Sequence, residues 1–444
     1  MPLRGILLIT IFLGSVPICF FRPIYGILLW TVVAFLNPQA FIWDAVDLLP
    51  WALIVAVPTM LGGLVFARGW HKVFSGRSLL LCVLWLWFSL TTLQSTSTPE
   101  FMHHANDTWA KWLFVSKILM MTVVTIVVVD TFPRLRLFVL VIAGCFGVYV
   151  AKSFPFIIAS GGAFRLYGPP KSMIADNNDF GLALNMTLPL YFFLAQTESK
   201  RWVRRLFAGL FLITVPAVFF TYSRGALVGL VAVSFLMFIQ LKQRLLLIPV
   251  IALGVALAVL FAPSAWKQRM DPTRPDAIDG SARERLNAWT FAWNLSNDYP
   301  VFGGGFATFT PRLFAQYAPV ALDIHGAHSV YFGVLAEHGF VGLVLYFILI
   351  ASCFIGARRL IREAESYHDT DVIAYANMFR FSIVAFLASG LFLGRAYFDY
   401  YFSIVAALTV LEHVARRKWE LIDADEPAMV PLATEFVQTP LVSS

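Results

Sequence analysis

Charged side chains are scarce in this chain, only 13% of 444 residues, and that shortage excludes an ordinary water-soluble domain, in which about a quarter are charged. Cysteine is scarce too: Cys19, Cys82, Cys145 and Cys353 stand inside apolar segments at unrelated spacings. They read as small core side chains, not as disulfide partners or metal ligands. No basic stripe interleaved with aromatics occurs, which excludes nucleic acid as a partner. Solenoid-type repeats and low-complexity blocks are absent as well. Gly303, Gly304 and Gly305 lack Walker or dinucleotide spacing, so they read as a tight backbone turn.

What abounds is apolar sequence. Hydrophobic residues make up 59% and aromatics 16%, with mean hydropathy +0.75. Apolar segments lie near residues 5–20, 24–42, 50–67, 78–94, 112–130, 136–152, 179–195, 205–222, 225–241, 244–262, 328–355, 379–394 and 397–414, thirteen candidates in all. Many approach the roughly 20 residues that a helix needs to cross a bilayer, and backbone groups in lipid must bond internally, so helices are expected. The run from Ile6 to Phe21 could pass for a signal peptide. It lacks a small-residue cleavage site and continues into Arg22, Pro23 and more apolar sequence, so it reads as retained.

The net charge of +7 comes from basic clusters at segment ends: Arg68, Lys72 and Arg77; Arg134 and Arg136; Lys200 to Arg205; Lys242 and Arg244; Arg358 to Arg362; Arg416 to Lys418. These are expected on the cytoplasmic side. Parity then works from residue 68 onward and leaves the tail inside. The expected fold is an all-α polytopic membrane protein of about twelve transmembrane helices with both ends cytoplasmic, one of the first three segments being a hairpin or interfacial piece. Its parts are N-terminal helices at 1–152, central helices with outer-face Arg/Asn loops at 153–262, a long outer loop at 263–327, C-terminal helices at 328–415 and a cytoplasmic tail at 416–444.

Polar residues gather on the expected outer face. Arg224 stands between two apolar segments in FFTYSRGALVGL, where a guanidinium either anchors at the interface or serves a site. Arg285 and Trp289 are four apart in SARERLNAWTF, hence on one helix face, with Arg283 beside them. Guanidinium forks suit phosphate oxygens, although Asp279, Glu284 or Asp298 could pair with these arginines instead. In SGGAFRLYGPPKSMIADNNDFG, Arg165 and Lys171 add positive charge. Asp176, Asn177, Asn178 and Asp179 could bind hydroxyl-rich ligands or make a turn with a helix cap. Arg395 and Asp399 are spaced to pair with each other.

The stretch HGAHSVYFGVLAEHGFVGLVLY places His325 and His328 before a helix and Glu337 and His338 within it. His325, His328 and Asp323 form a loose metal-ligand match without a thiolate. General base catalysis is the more economical use of a neutral imidazole. Ten helical residues, about 15 Å, separate His328 from His338, so both can reach one reacting atom only if the helix breaks.

Taken together, SRGA, Arg285 with Trp289, the run DYPVFGGGFATF and the AHSxYxxxLxExGxxG stretch resemble the O-antigen ligase and O-antigen polymerase (Wzy-C) superfamily over roughly residues 160–355. RPIYGILLW, LNPQAF and GPPKSMIADNND further resemble its exosortase-associated O-glycosylation ligases over residues 1–180. The resemblance implies a glycosyltransferase of the bacterial inner membrane that needs no metal or other cofactor and acts at its periplasmic face. Its donor would be a glycan on undecaprenyl diphosphate and its acceptor lipid A-core.

By the same resemblance, Arg224 and Arg285 hold the carrier diphosphate and His328 is the general base. His338, where the superfamily does not generally place a histidine, stands as a second candidate. Arg283, Arg165, Lys171, Asn177, Asn178, His325 and Glu337 complete the expected substrate site. Competing readings are a polymerase or a protein O-oligosaccharyltransferase of the same superfamily, and, more distantly, a transporter. Inverted repeats and paired broken helices would mark a transporter, and the sequence displays neither.

Overall fold

The computed structural model describes residues 3–41, 49–74, 76–240, 252, 256 and 280–425. Among them there is no strand. The helices are α1 (Leu3–Phe21), α2 (Pro23–Phe35), α3 (Trp51–Phe66), α4 (Gly76–Ser97), α5 (Ala105–Val128), α6 (Phe132–Ser160), α7 (Asn177–Thr197), α8 (Arg201–Phe219), α9 (Arg224–Gln240), α10 (Gly280–Asp298), α11 (Pro311–Tyr317), α12 (Val330–Ser366), α13 (Thr370–Gly390) and α14 (Asp399–Asp425). Six helices among the described residues are long and apolar enough to cross a membrane: Gly76–Ser97, Met102–Val128, Phe132–Ser160, Arg201–Phe219, Val330–Ser366 and Thr370–Gly390. Shorter apolar helices occupy Gly5–Phe21, Pro23–Phe35, Trp51–Phe66 and Arg224–Gln240. The all-α multi-pass architecture is therefore present. The candidate at 244–262 lies outside the described residues except for 252 and 256.

Helix α7 is absent from both groups because Asn177, Asp179, Asn185 and Thr187 dilute its apolar run, yet it is buried from Asp179 to Leu194. A helix wrapped by other helices needs no lipid-compatible face, only partners for its polar groups. Asn185 Nδ2 donates to Ala226 O at 2.6 Å and to Ser389 Oγ at 3.2 Å. Thr187 Oγ1 lies 3.1 Å from the Tyr400 hydroxyl, and Tyr191 donates to Ala143 O at 3.1 Å. These bonds tie α7 to α6, α9, α13 and α14.

The bundle has two chemically different ends. At one, the basic clusters meet acids: Arg77 pairs with Glu412, Arg136 Nε donates to Glu198 at 2.8 Å, Arg134 pairs with Asp130 at 2.7 Å, and Lys418 pairs with Asp369 at 2.7 Å. Helix direction places the start of α7, the α8–α9 turn and the start of α12 at the other end. Phe12 contacts Trp51 and Phe20 contacts Phe66, so α1 and α3 run the same way. Residue 3 thus lies at the end opposite Asp425, unlike the expected pair of cytoplasmic termini, because all three segments before Arg68 form helices.

Residues 280–327 build a second, smaller core. Ala288, Phe291, Ala292 and Leu295 of α10 bury against Leu313, Phe314 and Tyr317 of α11, Phe101 of the α4–α5 connection and Ala336 of α12. Amphipathic α10 thereby finds its apolar partner in its own loop and in the bundle.

Candidate active site

The floor of the site is a broken helix. Within α12, Gly339 has φ 67° and ψ −172°, which ends one helical stretch and begins another. The carbonyls at the break need new donors. Gly304 N donates to Ala336 O at 2.8 Å, Gly305 N to Glu337 O at 3.0 Å, and Trp87 Nε1 to His338 O at 3.2 Å. Phe340 N in turn donates to Pro300 O at 2.8 Å. The triple glycine is thus a turn that docks backbone to backbone, and its Gly303 and Gly305 have φ of 64° and 80°.

Glu337 locks this dock. Its buried carboxylate accepts from Lys111 Nζ at 2.5 Å, Tyr397 Oη at 2.7 Å and Ala307 N at 3.1 Å. Helix α5, the α13–α14 connection and the chain just after the glycine turn therefore meet at one acid. Removing one partner of a buried pair strands the rest. Glu337→Ala should lower stability by about 3 kcal/mol, read as thermal melting of the purified protein in detergent; an unchanged melt would show that the acid is not a clasp.

Above this floor, the remaining polar residues converge. Trp289 stacks on Phe332 with ring centroids 4.9 Å apart and donates from Nε1 to Ala327 O at 2.7 Å. That contact fixes the residue before His328, which itself has φ 43° in the left-handed region. Its exposed ring has a pKa lowered below the usual 6.5, first by partial burial and then by the positive charge of Arg285. His325, Asp176 and Glu284 are also near enough to act on it.

The α8–α9 turn joins the same end. Ser223 Oγ accepts from Ala226 N at 3.1 Å and so caps α9, leaving Arg224 as its first residue. Tyr222 donates to Gly162 O at 2.6 Å, Leu166 N to Phe220 O at 2.9 Å, and Asn177 Nδ2 to Thr221 O at 2.7 Å. Loop 161–176, with exposed Arg165, is therefore laced onto the Arg224 turn. A Cβ at Gly225 would lie 3.1 Å from Phe392, and one at Gly394 would lie 3.4 Å from His328 Cα. The α13–α14 connection thus bridges the arginine turn and the histidine.

The structure does not gather every expected site residue. His338 is fully buried, its Nδ1 2.7 Å from Thr91 Oγ1 and its ring stacked 4.1 Å from Phe88. Glu337 is buried with it. Asn178 Nδ2 donates to Asp176 Oδ1 at 2.9 Å, Arg283 is exposed, and Lys171 lines a separate cavity beside Trp30. Arg395 does not pair with Asp399: it reaches back to Asp179 at 2.5 Å, because the chain between α13 and α14 lies over the start of α7. That places a third arginine, which the i, i+4 reading had assigned elsewhere, next to Gly394 and His328. Lys111 was also missed, since a lysine in an apolar helix gives no sign of its partner.

Glu284, Asp323 and His325 each offer a ligand atom within 4.8 Å of the others, and His325 Nε2 is already 2.8 Å from Asp323. All three side chains are partly exposed.

Comparison with known families divides the chain at its middle. Residues 3–197 match a family of unknown function (DUF5935), and residues 209–347 match the Wzy_C family, described as O-antigen ligase. No curated protein matches. The second match takes in the Arg224 turn, α10, the glycine turn and the His328 helix start. Residues 209–347 of this chain are thus similar to the O-antigen ligase family.

Proposed function

We propose that the protein transfers a glycan from undecaprenyl diphosphate to a hydroxyl of lipid A-core at the periplasmic face of the bacterial inner membrane. The observation that carries this reading is the placement of His328 beside Arg285, at the end of the bundle that also bears Arg224. A base kept neutral by a neighbouring cation is suited to take a proton at neutral pH. The cation in turn is suited to the anionic carrier.

In this mechanism His328 removes the proton of the acceptor hydroxyl as its oxygen attacks the anomeric carbon. The bond from that carbon to the diphosphate oxygen breaks with inversion. Undecaprenyl diphosphate leaves with the electron pair, and Arg224 and Arg285 stabilise the charge that builds on it. Arg283, Arg165, Asn177, Asn178 and His325 border the substrates. Lys171 and Glu337 stand apart from this step, and buried His338 has no route to an acceptor.

The test is transfer by purified protein from undecaprenyl diphosphate-linked glycan to lipid A-core. Arg224→Ala and Arg285→Ala should each abolish transfer with expression intact, and wild-type turnover in either would refute the diphosphate role. Transfer by wild type to a growing glycan or to a protein, but not to lipid A-core, would move the reading to a polymerase or a protein O-oligosaccharyltransferase. No metal takes part in the proposed step, so turnover should survive EDTA. Loss that added divalent metal restores would assign Glu284, Asp323 and His325 a role instead.

A further inference from the structure

The connection between α13 and α14, residues 391–398, lies outside both matched stretches, 3–197 and 209–347, yet it reaches the arginine turn, α10 and α12. Phe392 stacks on Trp289 with ring centroids 6.4 Å apart and lies against Gly225, the residue after Arg224. Gly394 meets the backbone of His328, and Tyr397 donates to Glu337 at 2.7 Å. Between them stands Arg395, held by Asp179 at 2.5 Å. We propose that Arg395 is a further carrier-binding residue, whose guanidinium meets the diphosphate together with Arg224 and Arg285 and stabilises it as it leaves. This rests on the reading that the site takes a diphosphate-linked donor.

Position is the first argument. Because residue 394 touches the backbone of His328, Arg395 begins beside the base. Its side chain ends at the start of α7, where Asn177 donates to Thr221 O at 2.7 Å and a Cβ on Gly181 would lie 3.1 Å from Thr221 Oγ1. The arginine therefore crosses from the histidine to the helix start on which the Arg224 turn is packed. Its bond to Asp179 uses Nη2, and 33% of the side chain stays exposed. A guanidinium carries five donors in a rigid fork, so one acid can orient it and leave donors for an anion.

The reaction supplies the second argument. When the bond from the anomeric carbon to the diphosphate oxygen breaks, the electron pair stays on that oxygen. The terminal phosphate then carries an added negative charge at neutral pH, its second pKa being about 6. A cation beside both the base and the Arg224 turn is placed to meet that charge, and it counts most in the transition state and the departing product. An ion pair that merely stapled the connection to α7 would show the same distance. The two roles differ in what they recognise.

The experiment is native mass spectrometry of the full-length protein with undecaprenyl diphosphate and, as the uncharged comparison, undecaprenol. Wild type should retain the diphosphate in preference to the alcohol. Arg395→Gln removes one charge-assisted contact and should weaken retention of the diphosphate about tenfold, with undecaprenol unaffected. Arg395→Lys, which keeps the charge, should recover most of that loss. Asp179→Asn should tighten retention of the diphosphate severalfold, because asparagine still accepts from Nη2 and a carboxylate no longer stands beside the anion. A staple would instead weaken retention in both Arg395→Gln and Asp179→Asn and for both lipids, and that result overturns the proposal; melting curves check that each variant is folded. If wild type holds both lipids equally, the carrier reading fails and this inference with it. If wild type selects the diphosphate and Arg395→Gln selects it as strongly, this inference alone fails.

Discussion

His328→Ala should lower glycan transfer by about 10² to 10⁴-fold, the usual contribution of a positioned general base. The loss belongs in kcat, with carrier binding retained, because the imidazole acts on the acceptor proton and not on the diphosphate. The ring is exposed, so its removal leaves packing intact and the melting temperature unchanged. His338→Ala should behave in the opposite way. That ring fills space between Phe88 and Phe306, and its loss opens a cavity in the bundle. Full transfer in His328→Ala, or a dead but well-folded His338→Ala, would reassign the base.

The same placement fixes a pH dependence. A general base works only when deprotonated, and the pKa of His328 is lowered from 6.5 by burial and by Arg285. The acid limb of kcat/KM should therefore fall below pH 6.5, with transfer rising as pH climbs through the lowered pKa. Removing the cation raises the pKa. Whatever residual transfer Arg285→Gln retains should lose activity at a higher pH than wild type; a limb that stays in place would separate Arg285 from the base.

Much of this was legible from residue order. Scarce charge and repeated apolar runs dictate a helical membrane protein, and SRGA, Arg285 with Trp289 and AHSxY mark the residues that gather at one end of the bundle. What hid from the sequence depends on packing. The polar residues of α7 look costly in lipid until α6, α9, α13 and α14 surround them. Arg395 has an acid four residues on, and only the fold shows that Asp179 is its partner. Glu337 looks like a ligand beside His328, yet its pairing with Lys111 spans 226 residues, a separation that no local pattern reports. The ten-residue gap between His328 and His338 raised the question of a break, and Gly339 supplies it immediately after His338. The break does not bring the second histidine to the first: it turns the second inward.

Gly339→Ala should be the most destabilising small substitution in α12. With φ 67° and ψ −172° the residue occupies backbone space that is essentially glycine's alone. A Cβ there would lie 2.5 Å from Val301 O and 2.6 Å from Pro300 O, both backbone atoms that cannot swing aside. Strain and overlap together cost about 4 kcal/mol, a large share of the 5–15 kcal/mol that typically holds a domain folded. Gly333→Ala is the matched control, since it lies in the same helix and its Cβ would meet nothing within 4 Å. It should melt at or above the wild-type temperature, because alanine favours helix by about 1 kcal/mol. If Gly339→Ala instead folds, α12 must straighten, and the glycine turn loses the carbonyls of Ala336 and Glu337 as acceptors. Residues 303–307 would then detach from Glu337, and transfer would fall even in protein that remains in the membrane. A Gly339→Ala protein with wild-type melting and wild-type transfer would mean that the break is dispensable and that the floor of the site lies elsewhere.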